Sequence, residues 1–189
     1  MNLFDILGPV MVGPSSSHTA GAVRIGWMTQ KLLGEQPVEA KILMYGSFAA
    51  TGKGLGTDRG LVAGLLGMRP DDERIPDSFE IARKMGLSYS FGIANLTSAH
   101  PNSVVLEVKG KSGRTLEVQA CSLGGGRIMI NRLDGLDVNC SCEIPTLIVH
   151  NLDQPGHVAE VTSMLAHKSV NIANMSLYRD KRGGSAVMV

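Results

Sequence analysis

Residues 13–21 read GPSSSHTAG, a stretch whose side chains could bind an anion and move a proton. Four hydroxyls in five positions, those of Ser15, Ser16, Ser17 and Thr19, surround the imidazole of His18. Each hydroxyl both donates and accepts hydrogen bonds, so the group offers convergent donors for a carboxylate. If a helix starts here, its free backbone N–H groups stand behind them and favour negative charge. An imidazole titrates near neutral pH and can carry a proton. The same residues also suit a plain helix N-cap with spare serines. The pattern is not G-x-S-x-G and no acid partner can be assigned to His18, so a hydrolase elbow is not indicated.

The second candidate is TGKGLGTDRG, residues 51–60. Its glycines do not form a dinucleotide fingerprint, because Thr57 stands where the third glycine would fall. Nor do they form a phosphate loop, because Ser47 stands where the first glycine would fall. What is left is a loop between a strand and a helix, able to bring backbone N–H groups near an anion or serving only as a connection. In SAHPNS, residues 98–103, His100 precedes Pro101 and is therefore expected in an extended or turn conformation. In DQPGH, residues 153–157, proline and glycine open a helix whose N-terminus faces whatever binds there. His150, His157 and His167 have no arrangement that singles them out. Of the three cysteines, Cys140 and Cys142 form C-x-C and Cys121 stands apart. That is too few ligands for a zinc site or an iron–sulfur cluster within the chain, and they read as small buried or rim thiols.

The elements that must position these residues follow from periodicity. Ala20 to Leu33 is apolar nearly all round and predicts a buried helix that Gly34 is placed to stop. Val38 to Tyr45 predicts a strand, and Gly60 to Met68 a helix with Leu61, Leu65 and Met68 at helical spacing. Ser78 to Met85 predicts a short helix capped by Asp77 or Ser78. From Leu87 to Leu133 the period shifts toward two. NSVVLEVKG and GRTLEVQACS form a hairpin around KGKSG, and GGGRIMINRL is a further strand. A boundary falls near residues 134–144. Beyond it, PTLIVHNL, HVAEVTSMLAHK, VNIANMSLY, DKRGG and SAVMV read as strand, helix, strand, turn and strand, with Val158, Val161 and Leu165 on one helix stripe. This is the first part of a ferredoxin-like βαββαβ unit, read as truncated because the last helix and strand do not follow.

Composition narrows the function class. The 189 residues allow one ordinary domain or two small ones. With 43% hydrophobic residues but only 4% aromatic, the core must be aliphatic. A net charge of +1 gives no electrostatic reason to bind nucleic acid or an anionic membrane. No apolar run approaches the roughly 18 residues that span a bilayer. The start, MNLFDILGPVMVGPS, lacks the basic region of a secretory signal, so the chain reads as cytoplasmic.

Taken together, GPSSSHTAG, YGSFAATGKGLGTDRGLVAGLLG and SAHPNSV resemble the β chain of the bacterial two-subunit iron–sulfur L-serine dehydratase, over essentially the whole chain. LDQPGHVAEVTSMLAHKSVNIANMSLYR is similar to an ACT domain, with its D-x-P-G loop and N-I-A-N strand. The region before it resembles the allosteric-substrate-binding domain of some D-3-phosphoglycerate dehydrogenases. The resemblance implies an α+β chain, an N-terminal α/β sandwich over residues 1–140 followed by a truncated ferredoxin-like ACT domain over 145–189. It implies a heteromeric lyase converting L-serine to pyruvate and ammonia, in which a 4Fe–4S cluster ligated by the α subunit acts on the leaving hydroxyl and this chain holds no metal. His18 and His100 would be the catalytic residues; Ser15, Ser16, Ser17, Thr19, Lys53, Gly54 and Asn102 would bind substrate. Asp153, Gly156 and Asn171 would bind an amino-acid effector where ACT domains of two copies pair. One departure is Leu55, where the family usually has histidine. The alternative is a non-catalytic, amino-acid-sensing regulatory subunit of another enzyme of serine metabolism, which has no need of GPSSSHT.

Overall fold

The computed structural model describes residues 9–189. The first eight residues, which the sequence reading includes in the N-terminal unit and in the absence of a secretory signal, lie outside the described residues.

Ser15 has extended backbone (φ −143°), and its Oγ accepts the His18 N–H at 3.1 Å, so the hydroxyl run does cap a helix. The first turn, Ser16–Ala20, is π-helical and leads into α1 (Gly21–Leu33). Gly34 ends α1 in left-handed backbone (φ 80°) with its N–H on the Gln30 carbonyl. Next come β1 (Pro37–Met44), a short helix α2 (Ser47–Thr51), α3 (Thr57–Leu65) and α4 (Ser78–Met85). The strands β2 (Ser88–Ile93), β3 (Ser103–Gly110), β4 (Thr115–Gly124), β5 (Arg127–Leu133) and β6 (Leu136–Cys140) complete the first unit.

These strands form one sheet in the order β2-β1-β3-β4-β5-β6. Only β1 and β2 run parallel, because α2, α3 and α4 lie between them in sequence and return the chain to the same end of the sheet. Ile42, Leu106, Val118 and Ile130 point to the helix-covered face and are almost wholly buried. On the other face, Lys41 stands opposite Glu107 with an Nζ–Oε1 distance of 3.1 Å. Glu39 stands opposite Lys109 at 3.8 Å. Both pairs are exposed and add little stability. A two-layer α/β sandwich results, with an aliphatic core as the composition requires.

α1 crosses α3 at backbone contact distance. A Cβ on Gly64 would fall 2.1 Å from the Val23 carbonyl oxygen, and one on Gly26 would fall 2.3 Å from that of Leu61. Glycine is required at both because main chain, which cannot rotate away, fills the space. Gly64→Ala is therefore expected to lower unfolding stability by about 2 kcal/mol or more, as overpacking a core does. Denaturant melts of the two proteins measure it, and an unchanged midpoint would contradict this packing.

After the first sheet come β7 (Val149–Leu152), α5 (His157–His167), β8 (Leu177–Arg179) and β9 (Ser185–Met188). The second sheet has the order β7-β9-β8 with β9 antiparallel to both neighbours. This is a split β-α-β, the arrangement that opens a ferredoxin-like unit. Val187 joins the main core and Tyr178 Oη donates to the Asn139 carbonyl at 3.4 Å, so the second sheet leans on the end of β6.

The structure corrects several expected elements. Helix α3 starts at Thr57 rather than Gly60, and α2 forms between the expected strand and the glycine loop, where no element was expected. Neither Asp77 nor Ser78 caps α4. A 3₁₀ turn (Ile75–Asp77) feeds directly into it, and Ser78 Oγ instead donates to the Arg59 carbonyl at 3.0 Å. VNIANMSLY is a strand only from Leu177, because β9 offers a ladder of four residues and Val170 and Ile172 remain exposed.

Candidate functional site

The hydroxyl loop, the β1–α2 connection and the 98–103 segment meet at one end of the first sheet. Gly46 allows the meeting. Its backbone is left-handed (φ 57°), and a Cβ there would lie 2.5 Å from the Pro101 carbonyl oxygen. Ser47, the first residue of α2, donates its N–H to that same carbonyl at 2.8 Å. Its hydroxyl faces His18, with Oγ 2.9 Å from Nε2. On the other side of the ring, Ser17 Oγ lies 3.0 Å from Nδ1, and Ser15 Oγ lies 3.3 Å from Ser17 Oγ. Phe48, fully buried, meets the imidazole edge to face at 5.5 Å between ring centres.

This environment sets the protonation of His18. Burial against Phe48 and the loop pushes its pKa below the ordinary 6.5, so the ring is neutral at pH 7. A neutral imidazole donates from one nitrogen and accepts at the other. With a hydroxyl at each nitrogen, Ser17, His18 and Ser47 form a continuous path along which a proton can pass in either direction. The π-helical turn widens the backbone at this point, a distortion found often at functional sites.

The other residues singled out in the sequence are placed as follows. Thr19 Oγ1 donates to the Leu55 carbonyl at 2.7 Å, tying the hydroxyl loop to the glycine loop. Only the main chain of Leu55 is used in that contact. Lys53 and Gly54 lie on the exposed turn between α2 and α3. His100 is exposed, and its Nδ1 accepts the Asn102 N–H at 3.1 Å. The Asn102 carbonyl receives the Ser122 N–H at 3.0 Å, which anchors the segment to β4. Asp153 closes the β8–β9 hairpin: its Oδ2 accepts from Arg179 Nη1 at 2.7 Å and from the Gly183 N–H at 3.2 Å. The hydrogen bond from Arg179 holds the Asp153 carboxyl below its usual range. Gly156 (φ 101°) starts α5, and Asn171 lines a cleft beside β6.

Ser47 is the site residue that the sequence reading missed. It lies 29 residues from His18, a separation with no periodic signature. The available signal was the glycine–serine pair between a strand and a short apolar helix.

Among the described residues, no group of three or more His, Cys, Asp or Glu side chains could hold a metal ion. Cys121 is buried in β4, and Cys140 and Cys142 face each other. Among the described residues, the three cysteines do not converge as ligands of an iron–sulfur cluster. No helix is long and apolar enough to cross a membrane among the described residues.

Fold and site define an α+β chain with a hydroxyl–imidazole path where three loops meet, and comparison with known proteins places it. The family described as "Serine dehydratase beta chain" matches residues 2–88. The "Probable L-serine dehydratase, beta chain" of Bacillus subtilis is 40% identical over 187 residues, which is 99% of this chain and 84% of the relative. The "L-serine dehydratase, beta chain" of Peptoniphilus asaccharolyticus is 39% identical, over 94% of this chain and 81% of the relative. "L-serine dehydratase 1" of Escherichia coli is 37% identical over 84 residues, 40% of this chain and 18% of the relative. The chain belongs to the family of L-serine dehydratase β chains.

Proposed function

We propose that this chain is the β subunit of a two-chain L-serine dehydratase, which with its α subunit converts L-serine to pyruvate and ammonia in the cytoplasm. The observation that carries this reading is His18 held between Ser17 and Ser47 in a family whose relatives bear that name. Elimination requires the Cα proton and the β-hydroxyl of serine to leave; the resulting enamine takes a proton at its β-carbon to become an imine, whose hydrolysis releases ammonia. A 4Fe–4S cluster, which this chain's residues do not fit to ligate, would belong to the α subunit.

The residues of this chain do two jobs in this reading. Ser15 and Ser16, with the backbone behind them, hold the substrate carboxylate, and Asn102, Lys53 and Gly54 complete the rim. Thr19, expected from the sequence to bind substrate, instead spends its one hydroxyl proton on the Leu55 carbonyl and braces the loop. His18 passes protons between substrate and the Ser17–Ser47 path, with His100 the second proton-handling group. The second unit is an ACT-type module that pairs with another copy. Asn171 and Gly156 would meet an amino-acid effector there, while Asp153 braces the hairpin beside it.

The test of His18 uses its titration. Because its folded pKa is depressed below 6.5, the neutral ring is intact above that value and is lost as pH falls through the folded pKa. The imidazole C2 proton in the isolated chain, assigned by its disappearance in His18→Ala, is expected to titrate with a midpoint below 6.5. A midpoint above 7 would mean that the ring is cationic at neutral pH and does not accept protons as proposed.

A further inference from the structure

Cys140 ends β6, and Cys142 lies two residues further on, where the chain leaves the first sheet for the second unit. In extended backbone, residues two apart point the same way but stand about 6.6 Å from each other. Here Cys142 is in left-handed backbone (φ 54°), and the two sulfurs are 3.4 Å apart. Cys140 is buried and Cys142 is half-buried. Both line a cleft of about 270 Å³, shared with Thr146, Leu165 and Val170, through which a small molecule reaches them. Either sulfur can donate across this contact, and the hydrogen bond lowers the pKa of the thiol that ionises first, Cys140, while the same contact and burial push Cys142 up.

The pair is also wired to the hydroxyl loop. Arg24 on α1 donates from Nη2 to the Cys142 carbonyl and from Nη1 to the Gly126 carbonyl, each at 3.2 Å. The Gly126 N–H in turn donates to the Ser16 carbonyl at 3.3 Å. One guanidinium therefore joins the backbone beside the thiols to the backbone of the π-helical turn.

We propose that Cys140 and Cys142 are a redox modification site, a dithiol that a hydroperoxide closes to an intramolecular disulfide, releasing the Cys142 carbonyl from Arg24 and loosening the Ser16 turn. The Cys140 thiolate attacks a peroxide oxygen, forming a sulfenic acid as the O–O bond breaks and the departing oxide is protonated. The Cys142 sulfur then attacks the sulfenic sulfur. Hydroxide leaves and takes the Cys142 proton as water. With hydrogen peroxide, two thiols and one oxidant give one disulfide and two waters. The sulfurs must approach each other to bond, and this moves the left-handed Cys142 backbone that Arg24 holds.

The experiment uses the full reduced chain treated with equimolar hydrogen peroxide, then denatured and alkylated. The expected product is about 2 Da lighter before alkylation, as disulfide formation requires. It carries one alkylated cysteine, Cys121, and dithiothreitol restores all three sites. Hydrogen exchange in segments 13–20 and 141–148 is expected to quicken by at least ~3-fold on oxidation and to recover on reduction. Sulfinic or sulfonic acid at either cysteine, or disulfides only between chains, would overturn the dithiol. A disulfide that forms while exchange in both segments stays unchanged would overturn its link to the hydroxyl loop.

Discussion

The purified chain by itself is expected to produce no pyruvate from L-serine, and addition of the α subunit, reconstituted under anaerobic conditions with the cluster proposed for it, is expected to produce turnover. The effect is all or none. The reason lies in the ligand count: among the described residues no three metal-ligating side chains gather, and the C-x-C thiols face each other. In the proposed reading the hydroxyl–imidazole path moves protons and holds a carboxylate, but elimination of a poor leaving group also needs an acid for its oxygen. A coupled assay for pyruvate, run on each subunit and on the mixture, reads the result. Pyruvate formed by the metal-free β chain alone would sink the assignment of roles.

His18→Ala in the assembled enzyme is expected to lower kcat by about 10²–10⁴-fold, the usual contribution of a positioned general acid–base group. The substitution separates chemistry from capping. The cap bond runs from the His18 backbone N–H to Ser15 Oγ and survives in alanine, whereas both ring contacts vanish. Folding stability is therefore expected to change little. Ser15→Ala differs: it removes the cap as well as a proposed carboxylate donor, and is expected to cost about 0.5–2 kcal/mol of stability together with a loss of activity. Thermal melts and kcat measured on both variants decide. If His18→Ala loses stability and keeps its activity per folded molecule, the loop is a cap and nothing more.

How much of this was legible without coordinates depends on the range of the interaction. Helix α1 and its stop at Gly34, helix α4, the β3–β4 hairpin, strand β5 and helix α5 were all readable, because periodicity, caps and turn residues act over a few neighbours. So was the hydroxyl run at a helix start, which chemistry alone marks as a candidate site. The limits of α3 and the short reach of β8 were not readable, since a helix start inside a glycine-rich turn and the length of a ladder depend on distant partners. The parallel pairing of β1 with β2 was likewise decided only in three dimensions.

The site divides in the same way. Residue types nominated Ser15, Ser17 and His18, and their closeness in sequence guarantees their closeness in space. Ser47 reaches His18 only because Gly46, in a backbone shape that a side chain would forbid, lays the start of α2 against Pro101. Cys140 and Cys142 are neighbours in any conformation, yet their 3.4 Å contact needs the left-handed turn at Cys142. Local sequence thus determined which groups were available. Tertiary structure decided which of them meet, because contacts between distant segments are set by packing, where one missing or added Cβ changes what can approach.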